Sequence, residues 1–156
     1  MGPLRAYDDA RLIYLAHHKK SLYILLVSAS SDSTHAYWQL PGGKRRIDDR
    51  GLVQETLVRI LRAQFGIDIH EKKGKIFHTA QLKSDDHKIL TSICITEDIF
   101  EELPRIIIPK GKTHFLHACW FQVGEIKDLK FHRKHINEKA LALECATIVI
   151  QDGLLT

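Results

Sequence analysis

Two adjacent glycines followed by three cations form the stretch of this sequence best suited to bind an anion. The stretch is residues 42–46, and its members are Gly42, Gly43, Lys44, Arg45 and Arg46. Glycine lets a backbone approach a ligand closely, arginine binds phosphate through its planar guanidinium, and lysine binds it as a point charge. We call residues 44–46 the basic loop. We expect it to bind phosphate groups, the alternative being that its charges are only solvated.

A single amphipathic helix must position this loop. Apolar residues recur at steps of three and four after Gly51, namely Leu52, Val53, Leu57, Ile60, Leu61 and Phe65. That spacing places them on one face of a helix, and Gly66 is a typical residue to end it. The sequence therefore predicts a glycine turn, a basic loop and a helix with one buried face.

The same stretch resembles the signature of the Nudix hydrolases, G-x5-E-x7-R-E-U-x-E-E-x-G-U behind W-x-L-P-G-G, where U is a bulky aliphatic residue. The lead-in matches at Trp38, Leu40, Pro41, Gly42 and Gly43. The far end matches at Arg59, Leu61, Gly66 and Ile67. The resemblance implies an α/β fold, a Nudix-like α/β/α sandwich with a mixed sheet and a C-terminal helix, formed by residues 1–156 as one domain.

Three carboxylates of the signature are missing from this chain. Counted from Arg59, the glutamate positions hold Ile60, Ala63 and Gln64. In the family these glutamates hold Mg²⁺ or Mn²⁺ against a pyrophosphate, and hard cations of this kind need anionic oxygen ligands. The resemblance therefore implies a degenerate box without a metal site or cofactor, with Mg²⁺ or Mn²⁺ expected only if activity remains.

The loop before the helix is longer than the signature allows, which leaves its acidic residue ambiguous. From Gly43 to Arg59 is 59 − 43 = 16 positions instead of the signature's 14. The loop glutamate then falls on Asp49 if counted from Gly43 and on Gly51 if counted back from Arg59. If the chain is active, Asp49 and Glu55 are the candidate catalytic residues.

Glu55 lies four residues before Arg59, one helical turn away. Residues at this spacing are neighbours on a helix surface. We expect a structural pair between Glu55 and Arg59, the alternative being that Glu55 is a displaced metal ligand.

The remaining secondary structure follows from apolar runs and turn residues. Predicted are strands at 10–18 and 22–30, a hairpin of strands 75–82 and 87–95, a loop at 96–112, a strand at 114–123 and a helix from a cap at Asn137 to about residue 151. This order agrees with the fold that the resemblance implies.

Composition limits the partners and the compartment. The formal charge of +4 and pI of about 9.0 favour anionic partners such as RNA or nucleotides. The longest apolar run, residues 22–27, is too short to cross a bilayer, so no membrane association is expected. Cys94, Cys119 and Cys145 lie in apolar contexts and predict buried thiols in a reducing intracellular compartment. The cytoplasm and an organelle matrix such as that of the mitochondrion both fit, and a removed targeting leader remains open.

The aromatic and histidine residues give weaker indications of a binding site. Trp38, Tyr37, Phe77, Trp120 and Phe121 are candidates for stacking on bases, although core packing is the ordinary position for tryptophan. Trp38 is retained as a possible ligand contact. The closely spaced His132 and His135 lack an evident third metal ligand, which favours solvated or nucleotide-facing histidines over a metal site.

Three functions are compatible with these features. The first is a pseudoenzyme that binds RNA or a nucleotide through the basic loop with Arg59, Trp38 and the two glycines, within a larger protein complex. The second is a divergent hydrolase of a nucleoside diphosphate linked to another moiety, with metal held by Asp48, Asp49 and a carboxylate from elsewhere, such as Glu125. The third is a structural protein that docks a partner through its C-terminal helix or through residues 106–108.

Overall fold

A mixed β-sheet lies between two helices in the computed structural model of this chain. The structure describes residues 7–29, 37–46, 49, 52–84, 88–109, 111, 115–131 and 138–152. The regular elements, in chain order, are β1 (Asp9–His18), β2 (Ser21–Ser28), β3 (Gly42–Lys44), α1 (Val53–Phe65), β4 (Phe77–Lys83), β5 (Leu90–Ile99), β6 (His117–Gln122) and α2 (Glu138–Asp152). Two 3₁₀ helices, His70–Lys75 and Val123–Asp128, follow α1 and β6.

Strand β1 is the centre of the sheet. The strand order is β4-β5-β1-β2-β6, and β3 pairs with β1 as well. One edge of β1 pairs in parallel with β5 from Asp9 to His17, while the other edge is shared by β3 at its start and β2 at its end. The remaining pairings are antiparallel, which confirms the predicted mixed sheet.

Alternation along β1 gives each face of the sheet its own core. Leu12 and Tyr14 point toward α1, and Ile13 and Leu15 point toward α2. The α1 face is completed by the predicted helix stripe, including Leu57, Ile60, Leu61 and Phe65. The α2 face is completed by Ala142, Cys145 and Ala146 of the C-terminal helix. The architecture is therefore the predicted α/β/α sandwich.

Helix α1 ends as the sequence predicts. Gly66 adopts a left-handed conformation with φ of 67°, and its amide donates to the Arg62 carbonyl. Glycine adopts this conformation without the steric cost that a side chain brings. The helix begins at Val53 with Leu52 as its N-cap, and that cap makes no side-chain hydrogen bond.

Several boundaries differ from the prediction. Strand β5 continues to Ile99 instead of ending at Ile95, because it pairs with β1 from Thr91 to Ile99. Ile106 and Ile108 of the predicted loop pack against the α1-face core, while Ile107 is 73% exposed. The predicted strand 114–123 is shorter in the structure, as β6 spans His117–Gln122. The predicted cap at Asn137 lies outside the described residues.

The thiols are not all buried. Cys94 and Cys145 are buried, whereas Cys119 is exposed on β6, which corrects the prediction. Strand β6 lies at the end of the strand order in the described sheet, next to β2. Burial raises the pKa of the Cys94 thiol to about 12, so this thiol is protonated at neutral pH. Within the described part of the chain, no helix has the length and apolar character needed to cross a membrane.

Gly42 has no room for a side chain. A Cβ atom placed there would lie 2.0 Å from the carbonyl oxygen of Ala10, a backbone atom of β1. Since Gly42 pairs with Arg11, neither strand can withdraw without breaking the β1–β3 pairing. The glycine is therefore required for β3 to dock and for the basic loop to begin where it does.

We expect Gly42→Ala to lower the free energy of unfolding by about 2–3 kcal/mol, because the added methyl group clashes with backbone. Urea denaturation followed by circular dichroism measures the change. Gly124→Ala is the matched control, because a Cβ atom at that position meets nothing within 4 Å. Equal stability of the two variants would contradict the clash.

Candidate functional site

The carboxylate of Asp49 is the most heavily hydrogen-bonded group near the basic loop. Arg59 of α1 binds it in a bidentate manner, Nε to Oδ1 at 2.8 Å and an Nη2 to Oδ2 at 2.9 Å. The Arg46 amide and the Thr56 hydroxyl also donate to Oδ2, each at 2.8 Å. Asp49 thus joins the loop to two successive turns of the helix.

A second layer of contacts extends this network to the N-terminal segment. The Tyr7 hydroxyl lies 2.8 Å from the Thr56 hydroxyl. Since Thr56 gives its only hydroxyl proton to Asp49, Tyr7 is the donor in this bond. Burial raises the pKa of Tyr7, so the phenol keeps that proton at neutral pH. Tyr7 and Thr56 were not singled out from the sequence, because no motif connects residues so distant in the chain.

Asp49 is ionised throughout the physiological range. Burial of its side chain, which is 3% exposed, would by itself raise the pKa. The hydrogen bonds from Arg59, the Arg46 amide and Thr56, together with the charge of Arg59, outweigh burial and lower the pKa of Asp49 to about 2. The carboxylate is therefore a fixed negative charge that already has its full set of donors.

This arrangement gives Arg59 a carboxylate partner that the helix spacing did not predict. The sequence spacing predicted a Glu55–Arg59 pair, but the bidentate partner of Arg59 is Asp49, ten residues earlier. The carboxylate of Glu55 accepts a hydrogen bond from Lys73 in the 3₁₀ helix after α1. Of the two alignments of the loop acid, the structure brings Asp49 to Arg59, while Gly51 lies outside the described residues.

The three cations of the basic loop have different surroundings. Arg45 is half-buried, and its Nε donates to the Tyr7 carbonyl at 2.9 Å. Its guanidinium carbon lies 5.4 Å from the centroid of the Tyr7 ring. Lys44 and Arg46 are exposed, and within the described part of the chain their side chains form no ion pair or hydrogen bond.

The glycine turn sits directly on helix α1. A Cβ atom at Gly43 would lie 3.1 Å from Cδ1 of Ile60 and 3.9 Å from Nε2 of Gln64. The basic loop therefore begins beside the helix face where the resemblance places the missing glutamates.

The residues at those glutamate positions do not fit a divalent cation. Ile60 is 1% exposed and belongs to the core, and Ala63 is exposed without a ligand atom. Gln64 presents a neutral amide, whose buried Oε1 has no hydrogen-bond partner among the described residues. One neutral oxygen does not provide the charged oxygen ligands that Mg²⁺ or Mn²⁺ requires.

The other acidic candidates are engaged elsewhere. Glu125 accepts a hydrogen bond from the Gln122 amide in a capping box at the 3₁₀ helix after β6. Asp48 lies outside the described residues. Among the residues that the structure describes, no group of three or more His, Cys, Asp and Glu side chains could hold a metal ion; His132 and His135 are not among them.

Trp38 lies in the interior instead of on the surface. It is 5% exposed and packs edge-on against Phe121, with ring centroids 4.7 Å apart. Trp120 packs edge-on against Tyr14 at 5.2 Å and donates to the Pro104 carbonyl. The ring of Trp38 therefore offers no open face to a base in this structure.

The Asp49–Arg59 pair predicts a pH-dependent loss of stability. Because the pKa of folded Asp49 is about 2 and its ordinary value is 3.8, the ionised form stabilises the fold above about pH 4, and this contribution is lost as the pH falls toward 2. We expect Asp49→Asn to lower the free energy of unfolding by about 2 kcal/mol at neutral pH. The difference from the unmodified chain should shrink below pH 4 in urea titrations.

The control for this change is Asp68→Asn. Asp68, which follows α1, pairs with Arg62 of that helix, but both side chains are more than half exposed. An exposed pair contributes little, so we expect an unfolding midpoint close to that of the unmodified chain. A difference for Asp49→Asn that stays constant down to pH 2 would contradict the assigned role of the carboxylate.

Comparison with known proteins identifies the fold. No protein-family model and no curated protein sequence matches the chain. A solved Nudix hydrolase from M. smegmatis, RenU, is similar at 16% identity with a TM-score of 0.64, covering 97% of this chain and 90% of that chain.

Two further solved structures contain a nucleotide or its derivative. The Nudix domain of Shewanella oneidensis NrtR in complex with ADP-ribose has a TM-score of 0.63 and 16% identity, covering 91% of this chain and 86% of that chain. The T. brucei MERS1–GDP complex has a TM-score of 0.60 and 13% identity, covering 78% of this chain and 51% of that chain. With the sandwich and the glycine turn described above, these similarities show that this chain has the Nudix fold.

Proposed function

We propose that this chain is a non-hydrolytic Nudix-fold module that binds RNA or a nucleotide at the basic loop. The observation that carries the proposal is the pair of exposed cations, Lys44 and Arg46, beside a helix face whose glutamate positions hold Ile60, Ala63 and Gln64. Positive charge is available to a phosphate there, while the buried carboxylate of Asp49 is neutralised by Arg59.

Several features support a binding role over hydrolysis. Hydrolysis in the manner of the family needs carboxylates to hold a metal that activates water and neutralises the phosphoryl oxygens. Asp49 is held by four donated hydrogen bonds, and Glu55 is bound to Lys73. Freeing either carboxylate for a metal would break contacts that hold the loop or the helix. The rearrangement would cost free energy that a binding role does not require.

The ligands bound in two similar structures support a ligand that carries phosphate groups. ADP-ribose is bound in the solved structure of one and GDP in that of another. Both ligands carry phosphate groups, which the basic loop is suited to contact. The net charge of +4 also favours an anionic partner. The chain would act within a larger ribonucleoprotein complex, where a small module needs only to hold RNA in place.

We expect binding of a short fluorescein-labelled single-stranded RNA to weaken linearly with the logarithm of salt concentration, because each phosphate contact releases counter-ions. Replacing Lys44, Arg45 and Arg46 together by glutamine should weaken binding at least about tenfold at low salt. Fluorescence anisotropy measures both effects. The control replaces Lys19 and Lys20, in the turn between β1 and β2, by glutamine, and that variant should bind as the unmodified chain does. Undiminished binding by the triple variant would remove the basic loop as the site.

We also expect no turnover of ADP-ribose or a capped dinucleotide in the presence of Mg²⁺ or Mn²⁺, because the described helix positions do not supply metal ligands. Chromatography of the reaction mixture detects any product. Product formation that requires the metal and is abolished by EDTA would show that the chain is a divergent hydrolase. An active Nudix hydrolase that cleaves ADP-ribose is the positive control.

A further inference from the structure

The ion pair between Asp49 and Arg59 holds the backbone on both sides of Arg45. Arg59 donates to the carbonyl oxygen of Lys44 at 2.8 Å, in addition to binding Asp49. Asp49 accepts from the amide of Arg46 at 2.8 Å. The backbone groups that flank Arg45 are therefore held by two side chains that are bound to each other.

Arg45 is held at its own position as well. Its amide donates to the Asp8 carbonyl at 3.0 Å, and its guanidinium both donates to the Tyr7 carbonyl and lies over the Tyr7 ring. A guanidinium engaged by a carbonyl and an aromatic ring has given up part of its surface and one of its donors. Binding a phosphate through the Nε–H of Arg45 would compete with these contacts.

Among the described residues, the side chains of Lys44 and Arg46 make no such contacts. Both are exposed, whereas Arg45 between them is half-buried. Neither side chain has a hydrogen bond or an ion pair to another of the residues that the structure describes. Their charges are thus available to a ligand without loss of a contact to a described residue, and their backbone is held by Arg59 and Asp49. Ordering a loop before binding reduces the entropy lost when the ligand arrives.

We propose that Lys44 and Arg46 are the two phosphate-contacting residues of the basic loop, and that Arg45 is a positioning residue that holds them in place. The proposal rests on the function proposed above and deepens it by dividing the loop into ligand contacts and support. The ligand it describes carries neighbouring phosphate groups. The diphosphate of a nucleotide and successive phosphates of single-stranded RNA share that chemistry.

The test compares adjacent single substitutions that each remove one positive charge. Binding to the labelled RNA is measured over a range of salt concentrations for three variants: Lys44→Gln, Arg45→Gln and Arg46→Gln. The melting temperature of each variant is measured as well. We expect Lys44→Gln and Arg46→Gln each to reduce the steepness of the salt dependence by about 0.7, the value for one phosphate contact on a single strand. Their melting temperatures should equal that of the unmodified chain.

Arg45→Gln should behave differently. We expect the salt dependence to keep its slope, while affinity falls about three- to tenfold at every salt concentration because the loop is no longer held in the binding conformation. The melting temperature should fall by about 2–4 °C. Arg45→Lys keeps the charge but lacks the planar guanidinium, so it should show the same loss of affinity as Arg45→Gln.

The outcomes separate this proposal from the one on which it rests. If Arg45→Gln reduces the slope as much as Arg46→Gln does, Arg45 contacts phosphate and the division of roles is wrong. If Arg45→Gln leaves affinity unchanged well below its melting temperature, or Arg45→Lys restores it, the positioning role is wrong. If the triple glutamine variant binds RNA normally, the basic loop is not the site and both proposals fail.

A second titration decides whether the phosphate groups belong to a nucleotide or to the RNA backbone. Isothermal titration with ADP-ribose is performed on the unmodified chain and on Lys44→Gln and Arg46→Gln. Weaker ADP-ribose binding by both variants supports the proposal with a diphosphate as ligand. Weaker RNA binding alone supports it with the RNA backbone as ligand. Normal binding of both ligands by both single variants would overturn the assignment of the two contacts.

Discussion

The ion pair between Asp49 and Arg59 connects the loop after β3 to helix α1. Asp49 is almost fully buried and Arg59 is about one-quarter exposed. Water therefore cannot fully solvate either charge if the pair is broken. Removing one partner of such a pair is more costly than the pair is worth, because the other charge is left buried. The same two residues hold the Lys44 carbonyl and the Arg46 amide. The pair therefore orders the basic loop as well as joining it to the helix.

The sheet supplies the frame in which that pair can form. Strand β1 pairs with β3 at its start, which fixes where the basic loop begins, and its alternating residues carry the core on which α1 packs. Gly42 and Gly43 allow β3 and the turn to lie against β1 and Ile60 without intervening side chains. A loop placed this close to the helix brings positive charge to the face where the Nudix signature, which the sequence resembles, has glutamates. The phosphate binding proposed for the basic loop depends on this placement.

Much of the fold could be predicted because it follows from local periodicity. The 3.6-residue spacing of Leu57, Ile60, Leu61 and Phe65 predicted α1, and the apolar run in β2 predicted a central strand. The burial of residues outside such a periodic pattern was harder to predict. Cys119 was expected to be buried from its apolar context, yet it lies on a strand at the end of the sheet order and is exposed.

By itself, the sequence determined the secondary structure around the glycine turn, the identity of the three loop cations and the absence of glutamate at Ile60, Ala63 and Gln64. Only the tertiary structure decided which acid meets Arg59. Helix spacing favoured Glu55, but a loop of unknown path can bring any nearby carboxylate to an arginine. A bidentate geometry with two further donors stabilises Asp49 more than a solvated contact on the helix surface could. The distinction between Arg45 and its neighbours arises in the same way, because burial depends on the path of the chain.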